Sequence, residues 1–173
     1  MKNFFCFTLI ALALVSCGTS EGSHQDAGTD SINPVALFTL SDAEKILGQP
    51  AALTDSGWTR DGNISTYRST YTGNNKDQNG KLSVLYCLFE QHVSDSSAKQ
   101  TYAAILKANA DHEGIEERGD LGDEAYFHSD KENFCFIFIR KGNRLIRMKV
   151  NKLTDITSLD EFNRVAEKIV SQI

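Results

Sequence analysis

Apolar and polar residues alternate along Leu82–Glu90, and the same two-residue period returns over Ile115–Arg118, Glu124–His128, Phe134–Arg140 and Arg144–Val150. That period sends successive side chains to opposite faces, so each segment reads as a strand with one face against a core. Upstream, Trp58–Arg60 and Ile64–Tyr71 flank Asp61-Gly62 and predict a hairpin around a two-residue turn. Gly73–Gly80, GNNKDQNG, predicts a polar loop rich in turn formers. The period lengthens to that of a helix after Ser94 or Asp95, where Ala98, Tyr102, Ile105 and Ala108 or Asn109 share a face. Ser158-Leu-Asp-Glu161 is a capping box, and Phe162, Val165, Ala166, Ile169 and Ile173 after it form the apolar stripe of a closing helix. A second box, Ser41-Asp-Ala-Glu44 with Leu40 as a hydrophobic staple, opens a short helix that stops at Gly48, two residues before Pro50. The expected fold class is α+β: a mostly antiparallel sheet of about five to seven strands, with two longer helices and one short helix packed on it. No internal repeat recurs at a fixed period.

Gly142-Asn143 makes a natural two-residue turn, which pairs Lys141 with Arg144 and fixes the register outward from there. Ile139 then faces Ile146, Ile137 faces Met148 and Cys135 faces Val150, a wholly apolar face that belongs to the core. The other face sets Phe138 beside Arg147, Phe136 beside Lys149 and Phe134 beside Asn151. Two arrangements satisfy this pattern. A helix or loop covers the phenylalanines, with the stems of Arg147 and Lys149 reaching to the rim. Or the face lines a groove in which cation–π pairs hold the basic groups ready for an anion or a partner.

The amino terminus bears on location. Lys2 is followed by an apolar run, Phe4–Val15, too short to cross a bilayer as a helix but laid out like a secretory signal. Leu14-Val15-Ser16-Cys17 resembles a bacterial lipobox. The resemblance implies cleavage after Ser16 and a diacylglycerol on the Cys17 sulfur, whereas Ala11-Leu12-Ala13 would serve an ordinary signal peptidase. Residues 1–16 are then the signal, 17–33 a lipidated cysteine and flexible tether, and 34–173 a single globular domain. The tether is small, polar and aperiodic, and spans about 22 Å root-mean-square. Gly18, where many inner-membrane lipoproteins carry Asp, permits outer-membrane delivery in a Gram-negative cell. Further on, LGDEAYF (121–127), an apolar strand, RKGNRLIRMKV (140–150) and a closing helix resemble small secreted bacterial lipoproteins, some of which have a PsbP-like α-β-α sandwich. Those families carry a further early cysteine where this chain has Ser65-Thr66-Tyr67.

Charge and cysteines narrow the chemistry. The net charge of −5 argues against a nucleic-acid partner, which would favour a basic face. Cys6 leaves with the signal and Cys17 carries lipid, so Cys87 and Cys135 either bridge or stay as two buried thiols. A bridge would close a loop of about 48 residues and stabilise by about 4 kcal/mol. Asp111–Glu124 gathers seven acidic residues and one histidine without the spacing of a calcium loop, and reads as a solvated acidic segment. Within it, Arg118-Gly119-Asp120 resembles an integrin-binding tripeptide. The histidines have no zinc spacing, and no nucleophile elbow, P-loop or dinucleotide fingerprint occurs. The expectation is a non-enzymatic, lipid-anchored envelope protein that binds a small anionic ligand or another envelope protein. It would carry no metal and no cofactor beyond the Cys17 lipid. Two alternatives remain: an envelope hydrolase or redox enzyme whose residues converge only in three dimensions, and a structural module presenting the Gly73–Gly80 loop.

Overall fold

The computed structural model describes residues 32–173; the signal, Cys17 and nearly all of the tether lie outside the described residues. Two short helices, α1 (Pro34–Leu37) and α2 (Leu40–Leu47), precede a three-strand meander of β1 (Ala51–Asp61), β2 (Ile64–Lys76) and β3 (Leu82–His92). Helix α3 (Asp95–Asn109) leads to a second meander of β4 (Ile115–Glu117), β5 (Glu124–Ser129), β6 (Phe134–Lys141) and β7 (Arg144–Asn151), and α4 (Leu159–Ser171) follows. The strands form one seven-stranded sheet in the order β1-β2-β3-β7-β6-β5-β4, and every neighbouring pair is antiparallel. The fold is α+β.

Sheet alternation divides the core between two faces. On one, Leu85, Cys87, Ile137, Ile146 and Met148 meet the apolar stripes of α2 and α4, where Ile46, Phe162 and Ile169 are fully buried. On the other, Phe138, Leu145 and Tyr126 lie under Ala98 and Tyr102 of α3. Ser94 and Ser158 cap α3 and α4, each accepting a hydrogen bond from the third residue on.

The short helix is capped differently from expectation. Thr39, not Ser41, is the N-cap of α2 and forms a reciprocal box with Asp42, so Leu40 becomes the first helical residue and not a staple. Gly48 ends the helix as expected, with φ of +67°, and a Cβ there would sit 1.9 Å from the Ile156 carbonyl oxygen. Asp42 accepts from Thr39 Oγ1 and from Lys168 Nζ of α4, each at 2.5 Å. Burial raises the Asp42 pKa, but hydrogen bonds from Lys168 and Thr39 outweigh it and hold the carboxyl below its usual value. A pKa depressed by folding adds stability that is complete above about pH 4 and is lost as pH falls through the folded value. Asp42→Asn should therefore cost about 1.5–3 kcal/mol at pH 7. In urea melts across pH, the gap to the parent chain should narrow below about pH 4.

Strand β1 begins at Ala51, seven residues before the predicted start, and only Ala51 of it is buried. It has no core face to impose alternation; pairing with β2 makes it a strand. Its other side forms an edge of the sheet, and its register shifts between Leu53 and Asp55. The first hairpin turn is Gly62-Asn63, one residue beyond the expected Asp61-Gly62, because Asp61 pairs with Ile64. Gly62, with φ of +53°, takes the first turn position, which in this turn type favours glycine. The predicted loop at Gly73–Gly80 is shorter, since β2 runs on to Lys76.

Cys87 and Cys135 are both buried and free. Strand β7 lies between theirs, with Cys87 opposite Met148 and Cys135 opposite Val150. Strands two places apart are separated by about 9.5 Å, beyond the reach of a disulfide. The bridge is thus not formed, and the two sulfurs pack as small apolar groups. Burial pushes the Cys135 thiol up to about 12 and the Cys87 thiol higher still, so neither is a nucleophile at neutral pH.

Candidate functional site: a half-covered sheet face

The Gly142-Asn143 hairpin has the expected register at every pair from Lys141–Arg144 to Phe134–Asn151. The aromatic face is nevertheless divided. Helix α3 crosses only one end of it. Tyr102 stacks on Phe138 with ring centroids 4.9 Å apart, and Phe138 is fully buried. Beside Ile105, where the apolar stripe of α3 is only partly buried, Phe136 and Phe134 are half-buried, and Tyr86 of β3 is exposed. Covered and open arrangements therefore both occur on one strand, two residues apart.

Both expected cations stand over rings. The Arg147 guanidinium carbon lies 5.1 Å from the Phe138 centroid. Lys149 Nζ lies 5.1 Å from the ring of Phe134, its diagonal neighbour, although its directly opposite residue is Phe136. Arg147 Nη2 donates to Glu90 Oε1 at 2.8 Å, while its Nε is buried without a partner among the described residues. Glu90 Oε2 lies 3.6 Å from Nε2 of the fully buried His92, whose Nδ1 is 3.2 Å from Ser97 Oγ in the first turn of α3. A polar thread thus runs from the open face to the start of the covering helix.

Two concave lobes meet at Phe136, Arg147 and Lys149. The larger, about 710 Å³, lies between Ile105 of α3 and Tyr126, His128 and Phe134 of the sheet. The smaller, about 250 Å³, extends over Tyr86 and Leu88 to Arg68. His128 meets Phe134 edge-on at 4.9 Å and stacks on His112 at 5.7 Å. Asp111 and Glu113 give one lip of the larger lobe an acidic edge, while the cations stand on β7. Such a surface suits a flat or chain-like apolar body with an anionic end. The aromatic floor desolvates the body, and an oxyanion can pair with the exposed Lys149 ammonium and the partly exposed Arg147 guanidinium.

All five residues read from the hairpin (Phe134, Phe136, Phe138, Arg147 and Lys149) share this face, with Phe138 removed from access. Tyr126 and His128 extend it from β5, where alternation in Glu124–His128 already placed them together. Tyr86, Leu88 and Arg68 join only because β3 lies beside β7. The Arg118-Gly119-Asp120 tripeptide is satisfied internally: Arg118 donates twice to Asp120, at 2.9 and 2.8 Å, and once to Asn163. Among the described residues no group of His, Cys, Asp and Glu is arranged to hold a metal ion. Comparison of the chain with known proteins found no matching family model, no matching curated protein and no matching solved structure.

Proposed function

We propose that the protein is a lipid-anchored binding protein of the bacterial envelope, non-enzymatic, which takes an amphiphilic anion on the open half of its sheet. The observation that carries this reading is the contrast along β6. Phe138 is fully buried beneath α3, whereas Phe136 and Phe134 remain half-open beside Arg147 and Lys149. Aromatic surface and two cations are thereby accessible together on one strand pair. The Leu14–Cys17 motif supports the location, because two or three acyl chains on Cys17 would hold the domain at a bilayer.

Isothermal titration of naphthalene-2-sulfonate, with 2-naphthylmethanol as the uncharged control, tests the site in the full Cys17→Ala chain. The sulfonate should bind, and Arg147→Met should weaken it about tenfold, one charge-assisted hydrogen bond, in a chain that circular dichroism shows still folded, although loss of the Glu90 pair lowers its melting temperature. Equal binding of the two naphthalenes removes the anion from the proposal. The Cys17→Ala chain should also leave the membrane fraction; retention there defeats the anchor.

The hydrolase alternative has one observation in its favour, the line from Ser97 Oγ through His92 to Glu90. Ser97 lines neither lobe of the groove, and Glu90 is already engaged by Arg147. Failure of a fluorophosphonate to label Ser97 is the expected result.

A further inference from the structure

Eight described residues outside regular φ values adopt the left-handed backbone, and six of them are glycine: Gly48, Gly62, Gly80, Gly114, Gly122 and Gly142. The two exceptions are Lys131, with φ of +65°, and Lys152, with φ of +71°. A side chain in that region strains the backbone, and glycine removes the strain. Every other such position among the described residues is glycine, so each lysine side chain sits there at a local cost. Both line the same cleft.

That cleft, about 790 Å³, opens at one end of the sheet. Three junctions converge on it: the β2–β3 turn, the β5–β6 turn carrying Lys131, and the β7–α4 loop carrying Lys152. The Lys152 backbone is pinned in place, its N–H donating to the Asn133 carbonyl at 2.7 Å and its carbonyl accepting from Ser83 Oγ at 2.6 Å. Lys152 Nζ lies 3.3 Å from Asp77, whose other oxygen accepts from the backbone of Asn79 and Lys81. Lys131 and Lys76, also in the lining, have no carboxylate partner among the described residues. Around the cations stand the carboxamides of Asn75, Gln78 and Asn79 and the carboxylates of Glu132 and Asp155, while buried Gln49 at the back accepts from the Asn75 N–H. Each carboxamide both donates and accepts, which matches hydroxyl groups that do the same, and carboxylates accept from hydroxyls.

We infer that this cleft is a second ligand site, separate from the sheet groove, for a small hydroxyl-rich anion: a sugar bearing a phosphate or a carboxylate. Lys131, with Lys76 and Lys152, receives the oxyanion, and the carboxamides and free carboxylates receive the hydroxyls.

The test is a titration of the full chain with glucose 6-phosphate and with glucuronate, glucose being the uncharged control, followed by backbone amide shifts. One or both acids should shift the amides of the three junctions, and whichever binds identifies the oxyanion. Glucose should bind about tenfold more weakly, for want of one charge-assisted hydrogen bond. Lys131→Gly should weaken the acid about tenfold while the melting temperature stays the same or rises, because glycine fits the left-handed backbone. That combination separates loss of a ligand contact from loss of fold. Arg147→Met should leave the binding unchanged. The inference is overturned by any of three results: no shift at the junctions with either acid, undiminished binding in Lys131→Gly, or loss of binding in Arg147→Met, which would put the anion in the sheet groove. Binding of glycylglycine in place of both acids would overturn the ligand class.

Discussion

Phe138→Ala is expected to destabilise the protein by about 3–5 kcal/mol, the cost of emptying a fully enclosed aromatic position. The ring is fully buried, stacks on Tyr102 and meets Tyr126 edge-on with centroids 5.7 Å apart. These three residues, with Ala98 and Leu145, are the whole buried cluster on that face of the sheet. It is far smaller than the core on the opposite face. A cavity here cannot be filled by rearrangement of a thick core, and the other apolar contacts of α3, through Ile105 and Leu106, are only partly buried. Urea denaturation should report the lost stability, and hydrogen exchange should show α3 amides losing protection beyond those of α4. A loss below about 1 kcal/mol would mean that α3 docks by other means.

Arg140→Met should cost about 3 kcal/mol. Arg140 is the one buried arginine among the described residues, and it draws together three carboxylates: Asp95 at 2.6 Å, Asp123 at 3.0 Å and Glu124 at 2.5 Å. Asp95 opens α3, Asp123 immediately precedes β5 and Glu124 opens it, so one side chain ties the helix to the second meander. Removing it leaves three like charges close together and unneutralised. Their partial exposure keeps the cost near the lower end of what a broken buried pair brings, since water can reach them. Asp95→Asn, with a side chain 63 % exposed, should cost no more than about 1 kcal/mol. Urea melts of the two variants measure the asymmetry; equal losses would mean that Arg140 acts through Asp95 alone.

Legibility in the sequence followed the strength of the local constraint. The β6–β7 hairpin was readable to the residue because Gly142 sets the turn and one wholly apolar face leaves a single register. Helices α3 and α4 were readable from Ser94, Ser158 and the stripes that follow them. Strand β1 was not, because Ala52–Ser56 are exposed and carry no period. The first turn lies one residue beyond Asp61-Gly62 because the glycine takes the first turn position. No local signal announces that β3 pairs with β7, and two consequences of that long-range pairing were hidden with it. It brings Tyr86 and Arg68 to the groove, and it sets β7 between the two cysteines. The cleft at the sheet end is illegible in the sequence for a different reason. Lysines in left-handed backbone look like any surface lysine until φ is known.

The outermost position of β1 carries a further consequence. Eleven residues of edge offer a row of unmatched amide and carbonyl groups, a template on which another chain could extend the sheet indefinitely. The irregularity between Leu53 and Asp55 breaks that template's repeat, and Asp55, Arg60 and Asp61 set charge along the remainder. Copies of the protein that meet at high local concentration are thereby kept from polymerising through this edge.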